Sequence, residues 1–214
     1  IIRRLFEGQD HLVGSALQAL RPYQVIGVRW LLGLAREGFG GCLADDMGLG
    51  KTICSLAIAD YRIKKQHANR VLVICPNSIK FQWKEQAKKW FNLDFITIEG
   101  TSAKRQRQWM EATDYVIINY ELLLKDFEYI NSYVRGEILI FDEASFLKNE
   151  KAKRTKQASL LEAKYRLLLT GTPVEIKLSD ALVIGNIVRP NWMEWKEFSR
   201  NHIVWGENDY GHFI

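Results

Sequence analysis

The 214-residue chain is poor in the side chains that build metal and redox centres. Its three cysteines, Cys42, Cys54 and Cys75, sit among apolar neighbours, and none has the spacing of a metal-ligand or redox pair. They read as buried, reduced core thiols. The four histidines, His11, His67, His202 and His212, are scattered without an acidic partner at a meaningful interval, so they read as surface or core residues. No apolar run approaches the length of a membrane span. Internal repeats and low-complexity linkers are absent as well, which excludes solenoid and fibrous classes. One further residue is missing from a place where chemistry wants it. The stretch "LADDMGLGKT", 43–52, ends in Gly-Lys-Thr, but the pattern G-x-x-x-x-G-K-[ST] puts a glycine at position 45, where Asp45 stands.

What is present is globular material. At 47% hydrophobic and 26% charged, the chain suffices for one well-filled domain and is cramped for two. It opens on Ile1 rather than methionine and reads as an excerpt. Thirty basic against 25 acidic residues give +5, and the pI near 9.1 suits a polyanionic partner. The basic residues cluster in "YRIKKQHANR", "IKFQWKEQAKKW", "SAKRQRQW" and "KNEKAKRTK". A solvated helix face explains such clusters as well as a phosphate track does.

Short apolar runs alternate with longer stretches of helical spacing, which predicts βα units around a mainly parallel sheet. The expected strands are 41–44, 71–75, 95–98, 115–119, 137–141 and 166–169, and their near-continuous apolar character predicts cover on both faces. The expected helices are 23–37, 51–66, 78–91, 103–111, 121–133 and 152–163. In the third, Ser78 is placed to cap the helix, Ile79, Trp83, Ala87 and Trp90 share one face, and Lys80, Lys84 and Lys88 line the next. After Pro190 helical spacing continues only to about Asn201.

A strand, a glycine loop and a helix from Lys51 form the context a phosphate loop needs. Gly48 and Gly50 allow backbone N–H groups to turn toward phosphate oxygens, Lys51 would reach the β- and γ-phosphates, and the Thr52 hydroxyl would ligate Mg²⁺. The acidic partner lies in "EILIFDEASFLKN", where four apolar residues deliver Asp142 to the carboxyl end of a strand. Asp142 would hold Mg²⁺ through water, and Glu143 would orient and deprotonate the attacking water. In "RLLLTGTPVE", hydroxyls ending a central strand could sense the metal site, though Gly and Pro also mark plain turns. The Gln24 amide in "LRPYQVIGVRWL" could pair with an adenine edge.

Taken in order, "LRPYQ..G..W", "LADDMGLGKT", "VICPNSIKFQW", "IINYELL", "IFDEASFLKN" and "LTGTP" resemble the first motor lobe of the SWI/SNF family of ATP-driven double-stranded DNA translocases in helicase superfamily two. That family's loop reads D-x-M-G-x-G-K-T, which accounts for Asp45. The resemblance covers roughly 20–190 and implies a RecA-like three-layer α/β/α lobe of P-loop NTPase type. Residues 1–19 are then a leader, and 191–214 the start of a connection to a second lobe. It implies ATP and Mg²⁺ as cofactors, duplex DNA as partner, no membrane, and an intracellular location in cytoplasm or nucleus. Gln24 would recognise adenine. Gly48, Leu49, Gly50, Lys51 and Thr52 would hold phosphates and, with Asp142, the metal. Lys51, Asp142 and Glu143 would serve catalysis. Pro76, Asn77 and Ser78 fall at one DNA-contacting motif, Asn119 and Tyr120 at another, and Thr170, Gly171 and Thr172 at the coupling motif.

The chain departs from the family at Ser145, where His is usual, and at Val174, Glu175, Ile176 and Lys177, where Leu-Gln-Asn-Asn is usual. "DDMGLGKT" with "FLKN" looks more like the annealing-helicase and fork-remodelling branch than the nucleosome remodellers. Two rival readings stand beside the translocase. One is an RNA-helicase or restriction-type motor lobe; the other, suggested by Ser145, is a nucleotide-gated adaptor with little hydrolysis.

Overall fold

In the strand Val71–Cys75 every side chain is fully buried, so both its faces must be covered. The computed structural model describes residues 19–171 and 179–202 and meets this demand with three layers. The strands are β1 (Gly41–Leu43), β2 (Val71–Cys75), β3 (Ile96–Thr97), β4 (Tyr115–Asn119), β5 (Ile138–Asp142) and β6 (Tyr165–Leu169). They form one six-stranded sheet in the order β1-β6-β5-β2-β4-β3, and each neighbouring pair is parallel.

Side-chain alternation sorts the core into two halves. Val71, Val73, Ile138, Ile140, Leu167 and Leu169 point to one face. There they meet α1 (Pro22–Arg36), α2 (Lys51–Lys64) and α3 (Lys80–Phe91). Leu72, Ile74, Leu139, Phe141 and Leu168 point to the other. That face is covered by α4 (Ser102–Met110), α5 (Leu122–Lys125), α6 (Phe127–Val134), α7 (Lys153–Leu160) and α8 (Ser179–Val188). Each aliphatic side chain fully buried in this way contributes about 1.5 to 3 kcal/mol. A further helix, α9 (Trp195–His202), follows. No helix among the described residues is long and apolar enough to cross a membrane.

The α/β architecture is as the alternation predicts; the departures are local. Ser78 does not cap α3. Asn77–Ile79 form a 3-10 turn, and α3 begins at Lys80 without a side-chain cap. Trp90 is 37% exposed rather than core. Asn92 takes a left-handed turn that folds Leu93 back onto the Ala87 carbonyl, so Phe91 and Leu93 fill that end of the core. Lys80, expected on the face beside the core one as part of a solvated surface or a phosphate track, is buried with Nζ 3.9 Å from Glu99. The stretch expected as one helix over 121–133 is two, broken at Asp126, and α8 has no counterpart among the expected elements. Cys54 and Cys75 are buried and Cys42 half-buried, all free thiols. Burial pushes Cys42 up to about 11 and the other two up to about 12, so all stay protonated near neutrality.

Candidate nucleotide site at the carboxyl edge of the sheet

Most of the residues expected to carry chemistry lie at or just after the carboxyl ends of β1, β2, β4, β5 and β6, and Gln24 joins them from α1. β1 leads into the glycine loop, which ends at Gly50 as the start of α2. Gly48 and Gly50 lie at φ 84° and 83°, a region that costs other residues about 1 to 2 kcal/mol. A Cβ on Gly50 would collide with the Gln24 amide. The first turn of α2 carries no acidic residue, so its free N–H groups and positive dipole end are uncompensated by the helix itself. Lys51 is 9% exposed, and its Nζ donates to the carbonyls of Asp45 (2.7 Å) and Asp46 (3.0 Å). Gln24 is buried too. Its Oε1 accepts from the Arg21 N–H at 2.8 Å and its Nε2 donates to the Leu49 carbonyl at 2.9 Å. Gln24 thus ties the start of α1 to the loop. Tyr23 OH donates to the same carbonyl at 3.3 Å.

Asp142 ends β5 two strands away, with β6 between. Its Oδ2 accepts from Trp83 Nε1 at 2.7 Å, its Oδ1 from the Glu143 N–H at 2.9 Å, and its carbonyl from Tyr120 OH at 2.7 Å. Burial pushes this carboxyl above the usual range, offset in part by the Trp83 and Glu143 N–H groups and the Lys51 charge. Glu143 is in the left-handed region, φ 52° and ψ 54°, a strained setting for a non-glycine residue. Ser145 Oγ donates to the Glu143 carbonyl at 3.5 Å. Thr170, fully buried after β6, donates its N–H to the Leu43 carbonyl at 3.1 Å. Next to it, Gly171 faces Met47 and the Asp45 carbonyl across the loop. Thr172 and positions 174–177 lie outside the described residues.

Beyond Asp142 the edge continues through the ends of β2 and β4, which are in register at Cys75 and Asn119. Asn77 and Ser78 are exposed there and Pro76 is half-buried. Asn119 is half-buried, with an Oδ1 that has no hydrogen-bond partner. Tyr120 is only 5% exposed, with its hydroxyl donating to the Asp142 carbonyl.

The profile of the SNF2-related domain matches residues 23–207. The chain belongs to that family. An ATP-dependent helicase of Mycoplasma pneumoniae, itself described as uncharacterised, is 32% identical over 180 residues, 83% of this chain and 17% of that protein. The ISWI chromatin-remodeling complex ATPase ISW2 of Saccharomyces cerevisiae is 32% identical over 179 residues, 80% of this chain and 16% of its own length. The chain therefore spans less than a fifth of these relatives. Among solved structures, the Sulfolobus solfataricus SWI2/SNF2 ATPase core in complex with dsDNA superposes with TM-score 0.76 at 36% identity, over 85% of this chain and 38% of that one. The RecA-like fold is thus that of SNF2 ATPase cores. Such even identities to a helicase and a remodeller read the family rather than a branch of it.

One residue of this SNF2-related domain meets the site without a signal in the sequence. Trp83 reads from its helical period as core, and it is core, but its indole N–H also reaches Asp142. Only a tryptophan's lone donor in an otherwise apolar helix face could have hinted at it. Among the described residues no three His, Cys, Asp or Glu side chains form a metal cage. One carboxylate and the Thr52 hydroxyl suit instead a cation that takes most of its ligands from phosphate and water, the habit of Mg²⁺.

Proposed function

We propose that this chain is the ATP-binding lobe of a double-stranded DNA translocase and forms half of a two-lobed motor. The observation that carries the reading is that the glycine loop with Lys51 at the head of α2 follows β1, and Asp142 ends β5, so both lie at carboxyl ends of strands with only β6 between. Gly48, Leu49 and Gly50 with the first turn of α2 would cradle the phosphates, and Lys51 would exchange its two carbonyl partners for the β- and γ-phosphates. Thr52 and Asp142 would hold Mg²⁺, which when bound neutralises charge on the transferred phosphoryl group. Glu143 would orient the attacking water and take its proton. Gln24 would steady the loop and offer its remaining amide hydrogen to adenine. Thr170 and Gly171, with Thr172, would sense the loop.

Pro76, Asn77, Ser78 and Asn119 form the phosphate-facing half of the edge, and the resemblance to a core described in complex with dsDNA supports a duplex as the partner. A second lobe would supply the arginine that meets charge on the transferred group, an effect of about 10³ to 10⁵ in turnover. The chain alone would therefore hydrolyse ATP poorly. The protein would work inside the cell, where both ATP and DNA are found.

Phosphate release tests this reading, measured for the chain alone and for the longer protein, each with Mg-ATP and with blunt duplex DNA, single-stranded RNA or neither. Duplex stimulation confined to the longer protein, falling with salt, is the expected result. Stimulation by RNA alone would replace it with the RNA-helicase reading. Ser145 supports a second reading, since its contact with Glu143 is one long hydroxyl bond where an imidazole is usual. ATP binding by the longer protein without release would favour that nucleotide-gated adaptor.

A further inference from the structure

Asp142 is gripped from both segments on the outer half of the edge. Trp83 stands on the first turn of α3, directly after the exposed turn Asn77–Ile79. Tyr120 directly follows Asn119 at the end of β4. Each reaches back with one donor onto the same residue, Trp83 to the carboxylate and Tyr120 to the main-chain carbonyl, both at 2.7 Å. Both side chains are packed in the core. Trp83 is 1% exposed, and the Tyr120 ring stacks on Phe146 at 5.3 Å and on Phe141 at 6.4 Å. At Tyr120 a phenylalanine would fill the same space, so packing alone does not call for the O–H, whereas the larger Trp83 indole both fills the core and donates its N–H.

We propose that Trp83 and Tyr120 are positioning residues that aim the Asp142 carboxylate at its metal and tie that aim to the segments following β2 and β4. The proposal rests on the reading of Asp142 as the Mg²⁺ carboxylate. Its physical basis is the steep distance and angle dependence of a hydrogen bond. A contact that draws α3 outward lengthens the bond to the carboxylate and re-aims it, and one that draws the Asn119–Tyr120 segment outward lengthens the bond to the Asp142 carbonyl and shifts the main chain that carries the carboxylate. A contact that presses either inward holds it. Side chains locked by packing transmit such a shift instead of absorbing it.

The test uses the full-length protein and its variants Trp83→Phe and Tyr120→Phe. Binding of a fluorescent ATP analogue is followed in EDTA and across a Mg²⁺ titration, with and without blunt duplex DNA, beside thermal unfolding. In EDTA both variants are expected to bind within about twofold of the parent, since both side chains bond to Asp142 and not to the glycine loop. The Mg²⁺ midpoint is expected to rise about tenfold in Trp83→Phe, which loses a bond to a charged group, and about threefold in Tyr120→Phe, which loses a bond to a neutral one. Duplex DNA should lower the parent's midpoint and move the variants' midpoints less.

Midpoints unchanged in both variants overturn the proposal. So does an equal loss in EDTA and in Mg²⁺ beside a lowered unfolding temperature, because that is the mark of packing damage. A parent midpoint indifferent to DNA overturns the tie to the outer segments. Should Trp83→Phe fail to fold, Tyr120→Phe, which deletes a single oxygen, decides alone. A parent that binds no nucleotide defeats the phosphate-loop reading itself, a failure distinct from all of these.

Discussion

Two buried aspartates of this chain each accept an indole N–H, and there the likeness ends. Asp126, at the break between α5 and α6, takes Trp109 Nε1 at 3.1 Å and also a two-pronged grip from Arg105, Nε and Nη2 both at 2.8 Å. Burial pushes its carboxyl up, but the Arg105 and Trp109 hydrogen bonds and the nearby positive charge outweigh it, so it lies below the usual range. Asp142 takes Trp83 Nε1 and a backbone N–H, both neutral, and lies above the usual range. The first charge is neutralised within the fold and serves the fold. The second is oriented by neutral dipoles at the carboxyl end of β5, where the proposed reading needs its charge free for a metal. A buried carboxylate is therefore classified by its partner's charge more than by its depth.

The comparison breaks most severely at Asp126. Asp126→Asn leaves Arg105 buried and uncompensated and should lower unfolding free energy by about 3 to 5 kcal/mol in a urea titration. Its pH signature has a definite sign. Because the folded-state pKa is depressed, the stabilisation is present above the unfolded carboxylate's value and disappears as pH falls through the lower folded value. Unfolding midpoints measured from neutral to acid pH should show this loss in the parent and not in Asp126→Asn.

Lys51→Ala should leave the fold intact by circular dichroism, weaken ATP binding by about 1.5 to 3 kcal/mol, and abolish turnover in the longer protein. Unchanged ATPase would mean that Lys51 serves only the Asp45 and Asp46 carbonyls. Gly50→Ala should cost about 1 to 2 kcal/mol of stability, from the left-handed backbone and the crowded Gln24 amide. The smallest effect sharpens the comparison. Asp142→Asn removes a buried charge but gives up one charge-directed bond, so stability should change by about 1 kcal/mol or less. The Mg²⁺-dependent part of ATP binding should vanish all the same. A stability loss matching that of Asp126→Asn would erase the distinction between the two aspartates.

Much of the fold is legible along the chain. β2 and β4 have the limits that their apolar runs predict, and the two-faced burial of the sheet follows from those same runs. Legibility fails wherever a side chain's partner is remote. The period of α3 marks Trp83 as buried but is silent on its N–H. It also places Lys80 on the face beside the core one, whereas the structure buries that residue near Glu99. The break at Asp126 is invisible locally because the interrupting contact comes from Arg105 and Trp109 on α4. The motif that holds Tyr120 is silent on its hydroxyl, which donates to a carbonyl 22 residues ahead.

By itself, then, the sequence determined the parallel α/β order, the glycine loop at the head of α2 and the strand-end acid. Each is a property of near neighbours: alternation along a strand, backbone freedom at Gly48 and Gly50, four apolar residues before Asp142. Only the tertiary structure decided what those parts face. Trp83 and Asp142 are 59 residues apart in the chain and 2.7 Å apart at their polar atoms. A hydrogen bond of that kind depends on how α3 lies on the sheet, and a helix's own periodicity says which face is buried without saying which atom it will meet.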